Sequence, residues 1–135
     1  MKLFVDPGAF LALIDADDEN HKAAAAFYRN LKEKGARFVT TSLVVCETMN
    51  YLRERISCDV AVLFRENLKK SGFLEILTVT ASIEDAAFAI FKRSADKDFS
   101  FTHCPSFSIM PSLKLKTAIA FDKHFEQFEG MSRLP

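Results

Sequence analysis

The chain has 135 residues, 49% hydrophobic and 27% charged, with only four Gly and four Pro; this suits one core and excludes disordered, collagen-like and linker-dominated chains. Eighteen Lys and Arg balance eighteen Asp and Glu for a formal net charge of zero, so no global positive field points to nucleic acid, and such a partner must be met by local patches. Cys46, Cys58 and Cys104 form neither a Cys-x-x-Cys pair nor an even framework, which favours a reducing, cytoplasmic setting. No apolar run approaches the ~18 residues of a membrane span, so no membrane partner is expected. Asp6 interrupts the opening apolar run too early for a signal peptide.

In chain order, Lys2 to Val5 reads as a buried strand that Asp6-Pro7-Gly8 ends, with the aspartate at its carboxyl end. Ala9 to Ile14 predicts a helix. Asp17, Asp18 and Glu19 predict the cap and first turn of a second, which runs through Ala23, Ala24, Phe27 and Leu31 and stops at Gly35. Arg37 to Thr40 is a strand, and Thr41 or Ser42 caps a helix with the stripe Val45, Met49, Leu52 and Ile56, Glu47 standing on the opposite face. A helix from about Asp59 carries Val60, Leu63, Phe64 and Leu68 and ends at Gly72. Phe73 to Val79 is a third strand, and Ser82-x-x-Asp85 has the form of a capping box ahead of Ile83, Ala86, Ala87, Ile90 and Phe91. After a loop from Asp96 to Phe101, Thr102 is placed to cap a helix bearing Phe107, Met110 and Leu113, which Pro111 should end or bend near Ile109, since an interior proline costs ~3 kcal/mol. Thr117 to Phe121 is a fourth strand ending in Asp122, followed by a helical turn through His124 and Phe125 and an edge strand at 131–134.

Strands alternating with helices imply an α/β fold, with a mainly parallel sheet and helices on both faces. Ligands bind such sheets beyond the carboxyl ends of the strands, where the sequence puts Asp6 and Asp122. Gathered carboxylates raise each other's pKa unless a cation joins them. A hard divalent ion, with Glu47 as a further oxygen donor, resolves that cost and supports phosphodiester displacement. The plainer alternative makes each acid a turn, cap or solvated helix residue.

The chain resembles the PIN domain family, especially the small ribonucleases that include VapC-type toxins. The carriers are Leu3-Phe4-Val5-Asp6 with Gly8-Ala9-Phe10-Leu11-Ala12-Leu13, Val39-Thr40-Thr41-Ser42 into Cys46-Glu47, Asp96 to Thr102, Ser106-Phe107 with Met110, and Ala120-Phe121-Asp122-Lys123-His124-Phe125. The resemblance spans residues 1–135 as one domain. It implies a three-layer α/β/α sandwich with four to five strands, and a Mg²⁺- or Mn²⁺-dependent endoribonuclease site of about four acids. Asp6, Glu47 and Asp122 correspond to three of them, as catalytic and metal-binding residues. The family's third acid falls at His103, Pro7 removes a hydroxyl beside the first acid, and Pro105 stands where Thr is common. Ser106 and Lys123 are implied to contact substrate. The implied partners are RNA, a second copy of the chain in a homodimer, and, for a toxin, an antitoxin protein.

Imidazole in place of carboxylate suits Mn²⁺, Zn²⁺ or Ni²⁺ better than Mg²⁺. His103 is therefore either a ligand in a site of altered metal preference and weakened cleavage, or a packed neutral residue in a degenerate module that binds RNA or a protein without cutting. His124 and His21 read as surface residues and the cysteines as packing groups. Arg53, Arg55, Lys92, Arg93, Lys114, Lys116 and Lys123 are candidate rim charges for phosphate. A haloacid dehalogenase-like phosphatase is excluded because Gly8 stands where its second aspartate is required.

Overall fold

A computed structural model describes residues 1–121, 124–127 and 131–135. The elements follow in the order β1 (Lys2–Val5), α1 (Pro7–Ile14), α2 (His21–Glu33), β2 (Arg37–Thr41), α3 (Ser42–Arg55), α4 (Cys58–Lys70), β3 (Leu74–Leu77), α5 (Ala81–Arg93), α6 (His103–Ser112), β4 (Thr117–Ile119), α7 (His124–Gln127) and β5 (Ser132–Leu134). The five strands form one sheet in the order β3-β2-β1-β4-β5, and every neighbouring pair is parallel. The chain leaves β1 in one direction for β2 and β3, then returns to β1's other side for β4 and β5. The reversal between β1 and β4 opens a crevice at their carboxyl ends.

Alternation along β1 divides the core into two layers. Val5, with Phe38, Leu74 and Ile119, faces α1, α2 and α4 across an apolar cavity of about 410 Å³, and on that side Phe10 of α1 meets Phe64 of α4 edge-on at 5.2 Å. Phe4 turns the other way, toward Phe125 of α7 at 6.1 Å, which in turn meets Phe107 of α6 at 5.2 Å. Phe4, Phe38, Phe107 and Phe125 are fully buried. Phenyl rings fill this space without needing a hydrogen-bond partner, as an indole would.

Several helix ends depart from the expected signals for local reasons. Pro7 and Gly8 begin α1 rather than precede it, because a proline's fixed φ suits the first helical position, where its missing N–H is not needed. The acids before α2 do not cap it: Asp15 Oδ1 accepts from Asp17 N at 3.0 Å and Asp18 Oδ1 from Asn20 N at 2.8 Å, so they build the turn that leads to the helix. Thr80, not Ser82, caps α5, its Oγ1 accepting from Ile83 N. Thr102 has helical angles, φ −58° and ψ −32°, and makes no side-chain cap, since capping requires an extended residue. Thr41 caps α3 as expected.

The buried side of α3 is Val44, Val45, Thr48 and Leu52; Ile56, expected in that stripe, is exposed. Leu63 of α4 is likewise exposed, the buried pair there being Ala61 and Phe64. Helix α6 continues through Pro111 to Ser112 instead of ending near Ile109. It closes on Lys114 at φ 58°, with Lys114 N donating to Pro111 O and Leu115 N to Met110 O, so the proline falls in a last turn that these bonds complete. Strand β4 stops at Ile119, short of Phe121, although Ala120 N still donates to Leu134 O at 2.9 Å.

Candidate active site

Asp6 follows the last residue of β1 and precedes the first of α1. Its N–H donates to Ile119 O at 3.1 Å, tying the end of β1 to β4, and its carbonyl accepts from Ala9 N and Phe10 N to open the helix. The side chain does not cap α1. The residue is only 2% exposed, at the crevice between β1 and β4.

Across from it stands His103, the first residue of α6, 9% exposed. Its Nε2 lies 3.9 Å from Asp6 Oδ1, and its Nδ1 shares a hydrogen bond of 3.1 Å with Ser100 Oγ. The backbone holds the same turn, His103 N donating to Ser100 O and Cys104 N to Phe101 O. The imidazole stacks on Phe107, with centroids 6.0 Å apart and planes at 17°, and meets Phe125 edge-on at 5.9 Å. One ring nitrogen is thus held by a hydroxyl while the other is directed at a buried carboxylate.

His124, expected on the surface, lies instead against His103 with ring centroids 4.6 Å apart, and its Nε2 is 3.3 Å from Asp98 Oδ1. Neither Asp98 nor His124 was legible as a site residue, because a pair so distant in the chain is brought together only when α7 docks beside α6. The loop before α6 is anchored as its rings suggest: Phe99 is buried edge-on to Phe107 at 5.0 Å, and Phe101 meets Phe91 at 5.6 Å.

Glu47 is half-buried on α3 rather than on a fully solvated face. The β1–β2 register, Phe4 opposite Val39, places the start of α3 at the carboxyl end of β2, on the side of β1 away from β4. Glu47 acts on Tyr51 one turn along: the carboxylate's charge, then burial, then its hydrogen bond push the phenol's pKa up, against a lowering by Arg55. Ser106, one turn beyond His103, is fully buried, and its Oγ meets no hydrogen-bond partner among the described residues. Asp122 and Lys123 lie outside the described residues. Among the described residues no three His, Cys, Asp or Glu side chains form a group that could hold a metal ion; Asp6 and His103 are the expected donors that meet. The 410 Å³ cavity on the other layer is lined by no acid, base or histidine, which separates it from this chemistry.

A PIN domain profile matches residues 3–130. The 23S rRNA-specific endonuclease VapC20 of Mycobacterium tuberculosis, from strains CDC 1551 / Oshkosh and ATCC 25618 / H37Rv, is 28% identical over 123 residues, 91% of each chain. The crystal structure of Mycobacterium tuberculosis VapC20, described as a Sarcin-Ricin loop cleaving toxin, superposes with a TM-score of 0.84 at 27% identity, over 96% of this chain and 98% of that one. VapBC2 from Rickettsia felis, solved with a DNA fragment from its promoter, shares the fold at a TM-score of 0.73 and 10% identity, over 99% and 98% of the two chains. With the sheet order, the crevice and the profile in agreement, the chain belongs to the PIN domain family.

Proposed function

We propose that this protein is a divalent-metal-dependent endoribonuclease of the VapC toxin type, hydrolysing RNA phosphodiester bonds at the crevice between β1 and β4. The observation that carries the reading is the burial of Asp6, 2% exposed, at the switch point of a PIN fold. A carboxylate withdrawn from water there is costly alone and favourable beside a cation. The RNA-cleaving relatives of the same length and fold support the reaction class.

Nucleases of the PIN family generally depend on a divalent metal. Neighbouring donors bonded at ~2.1 Å to one ion stand ~3.0 Å apart in octahedral and ~3.4 Å apart in tetrahedral geometry; at 3.9 Å, Asp6 Oδ1 and His103 Nε2 stand wider than either. The family resemblance assigns the ion, Mg²⁺ or Mn²⁺, to Asp6, Glu47, Asp122 and His103; of the described three, Asp6 and His103 stand close together, and no three described donors are grouped. When bound, the ion supplies activation of a water and neutralisation of charge in an in-line displacement. The chain supplies the rest. Asp6 anchors the carboxylate end, the Ser100 hydroxyl fixes the imidazole, and Phe99, Phe107 and Phe125 wall the inner side against water.

Lys92 and Arg93, exposed in the last turn of α5, precede the loop that leads to His103 and are proposed to meet phosphates. Ser106 and Lys123 are proposed as further substrate contacts. The proposed partners are single-stranded or ribosomal RNA, a second copy of the chain, and a small antitoxin protein. No helix among the described residues is long and apolar enough to cross a membrane, and a cytoplasmic site of action is part of the proposal. The test is incubation of the purified protein with single-stranded RNA and with 23S rRNA, with Mn²⁺ or Mg²⁺. Metal-dependent cleavage, abolished by Asp6→Asn and by Asp122→Asn, is expected. Absence of cleavage on both RNAs with either ion overturns the reading.

A further inference from the structure

We propose that a recess at the amino end of the sheet, across the starts of β1, β2 and β3, binds an unpaired nucleotide of single-stranded RNA, its base on Phe73 and its phosphates at Lys2, Lys32 and Arg37. That the strand is RNA rests on the reading above. The recess itself lies the length of β1, ~13 Å, from the end that carries Asp6, and it takes no part in cleavage. The register builds it. Lys2 pairs with Arg37 across β1 and β2, and Phe38 with Leu74 across β2 and β3, so Lys2, Arg37, Phe73 and Glu75 converge on a space of about 140 Å³ that Phe38 and Leu74 also line. Phe73 is 43% exposed, yet its backbone is fixed: its N–H donates to Ser71 Oγ at 3.3 Å and its carbonyl accepts from Phe38 N at 2.7 Å. Arg37 Nη2 donates to Gly72 O at 3.3 Å, and Lys32 Nζ stands over the Phe73 ring, 5.1 Å from its centroid. A ring presented on a fixed backbone with cations around it is a stacking platform: the base gives its face to the ring while its phosphates meet positive charge.

A single exposed phenylalanine is ordinary, and Lys32, in the last turn of α2, is accounted for by the helix dipole. Neither explanation reaches Lys2 and Arg37. They open β1 and β2, strands inside the sheet, where the net dipole is small and no edge needs protecting. Lys2 Nζ pairs with Glu75 Oε2 at 3.0 Å, but both side chains are exposed, and such pairs contribute little, so a phosphate can compete for the lysine. Glu75 also decides what kind of anion fits. An anionic lipid surface meets in it a carboxylate that it repels, whereas a base offers that carboxylate an N–H donor.

The chain has no tryptophan, so Phe73→Trp places a single indole at the platform. The test is titration of this variant with a short oligocytidylate RNA, in chelator so that no metal-dependent cleavage intervenes, beside inorganic polyphosphate and phosphatidylserine vesicles as probes of charge without bases. Stacking should quench the indole emission with the RNA and leave it unchanged with the other two. In fluorescence anisotropy with the labelled oligonucleotide, Phe73→Ala should weaken binding by ~5-fold or more relative to the unaltered chain, and Phe73→Tyr, which keeps the ring, should not. Lys2→Ala and Arg37→Ala should each lower the magnitude of the salt slope by about 0.7; the anisotropy series carries the test should Phe73→Trp fail to fold. No quenching by RNA, equal quenching by polyphosphate or vesicles, or an affinity and salt slope unchanged in Phe73→Ala and Arg37→Ala overturns the inference. Cleavage is scored separately on the unaltered chain with Mn²⁺ or Mg²⁺, so binding at Phe73 without cleavage sinks the nuclease reading alone, and cleavage without an effect at Phe73 sinks only the site assigned here.

Discussion

Asp6 stands where a helix usually places a capping oxygen, yet its carboxylate makes no cap to α1, leaving aside ~1 kcal/mol that such a contact typically supplies. That side chain instead faces His103 across the crevice, so the local helix contact is given up for one between distant elements. Cys104, beside His103 in the chain, has the opposite character. It is fully buried, and burial alone pushes its thiol pKa above the ordinary value of 9.0, because a thiolate there would lose its water. Alkylation of the native protein at neutral pH should therefore label Cys46 and Cys58, which are exposed, and spare Cys104 until the chain is unfolded; rapid native labelling of all three, read by peptide mass spectrometry, would contradict its enclosure. The same burial gives a pH trend. Above that ordinary value the unfolded chain has lost a proton that the native state keeps, so this group's contribution to stability declines as pH rises from there toward the raised native pKa. At this scale the sequence made Asp6 legible through the apolar run that Pro7 and Gly8 interrupt. The Asp98–His124 pair left no such mark, since each residue's neighbours are ordinary for a loop and a short helix.

Helix ends show why some elements are readable and others are not. Both α2 and α6 close with the same backbone bonds. In α2, Gly35 N donates to Lys32 O and Ala36 N to Leu31 O, around Gly35 at φ 74°. In α6, Lys114 N donates to Pro111 O and Leu115 N to Met110 O, around Lys114 at φ 58°. Glycine announces such a turn because it adopts positive φ without steric cost, whereas lysine conceals it. The end of α2 is accordingly legible, while Pro111 points to an end or bend near Ile109, three residues before α6 ends at Ser112. Lys114→Gly should stabilise the protein by up to ~1 kcal/mol and Gly35→Ala should destabilise it by a similar amount. Guanidinium unfolding midpoints at constant slope check the pair, and a loss of stability on Lys114→Gly would mean that the lysine side chain contributes more than its backbone conformation costs. The caps of α5 and α6 are hidden for a related reason. Serine is, if anything, the better capping residue in isolation, so only the backbone path, extended at Thr80, decides that Thr80 rather than Ser82 caps.

At the scale of the molecule, strand order decides where chemistry can occur, and charge decides how RNA can reach it. The reversal between β1 and β4 leaves one crevice at the carboxyl ends of the strands, which alternating strands and helices already implied. The zero formal net charge has a further consequence. Without a long-range positive field, affinity for RNA must come from a few local contacts, with Lys92 and Arg93 of α5 near the entry to α6. Each phosphate neutralised on a single strand contributes ~0.7 to the slope of log affinity against log salt. A site served by two to four such contacts should therefore show a slope of about −1.4 to −2.8, shallower than the ~−4 or steeper expected for a basic groove making six or more. Fluorescence anisotropy of a labelled single-stranded RNA with the Asp6→Asn variant, between about 50 and about 200 mM KCl, measures this without cleavage. Adding Lys92→Ala should lower the slope's magnitude by about 0.7 if that lysine meets a phosphate. An unchanged slope removes Lys92 from the interface, and a slope beyond −4 would require a basic surface that the balanced composition does not suggest.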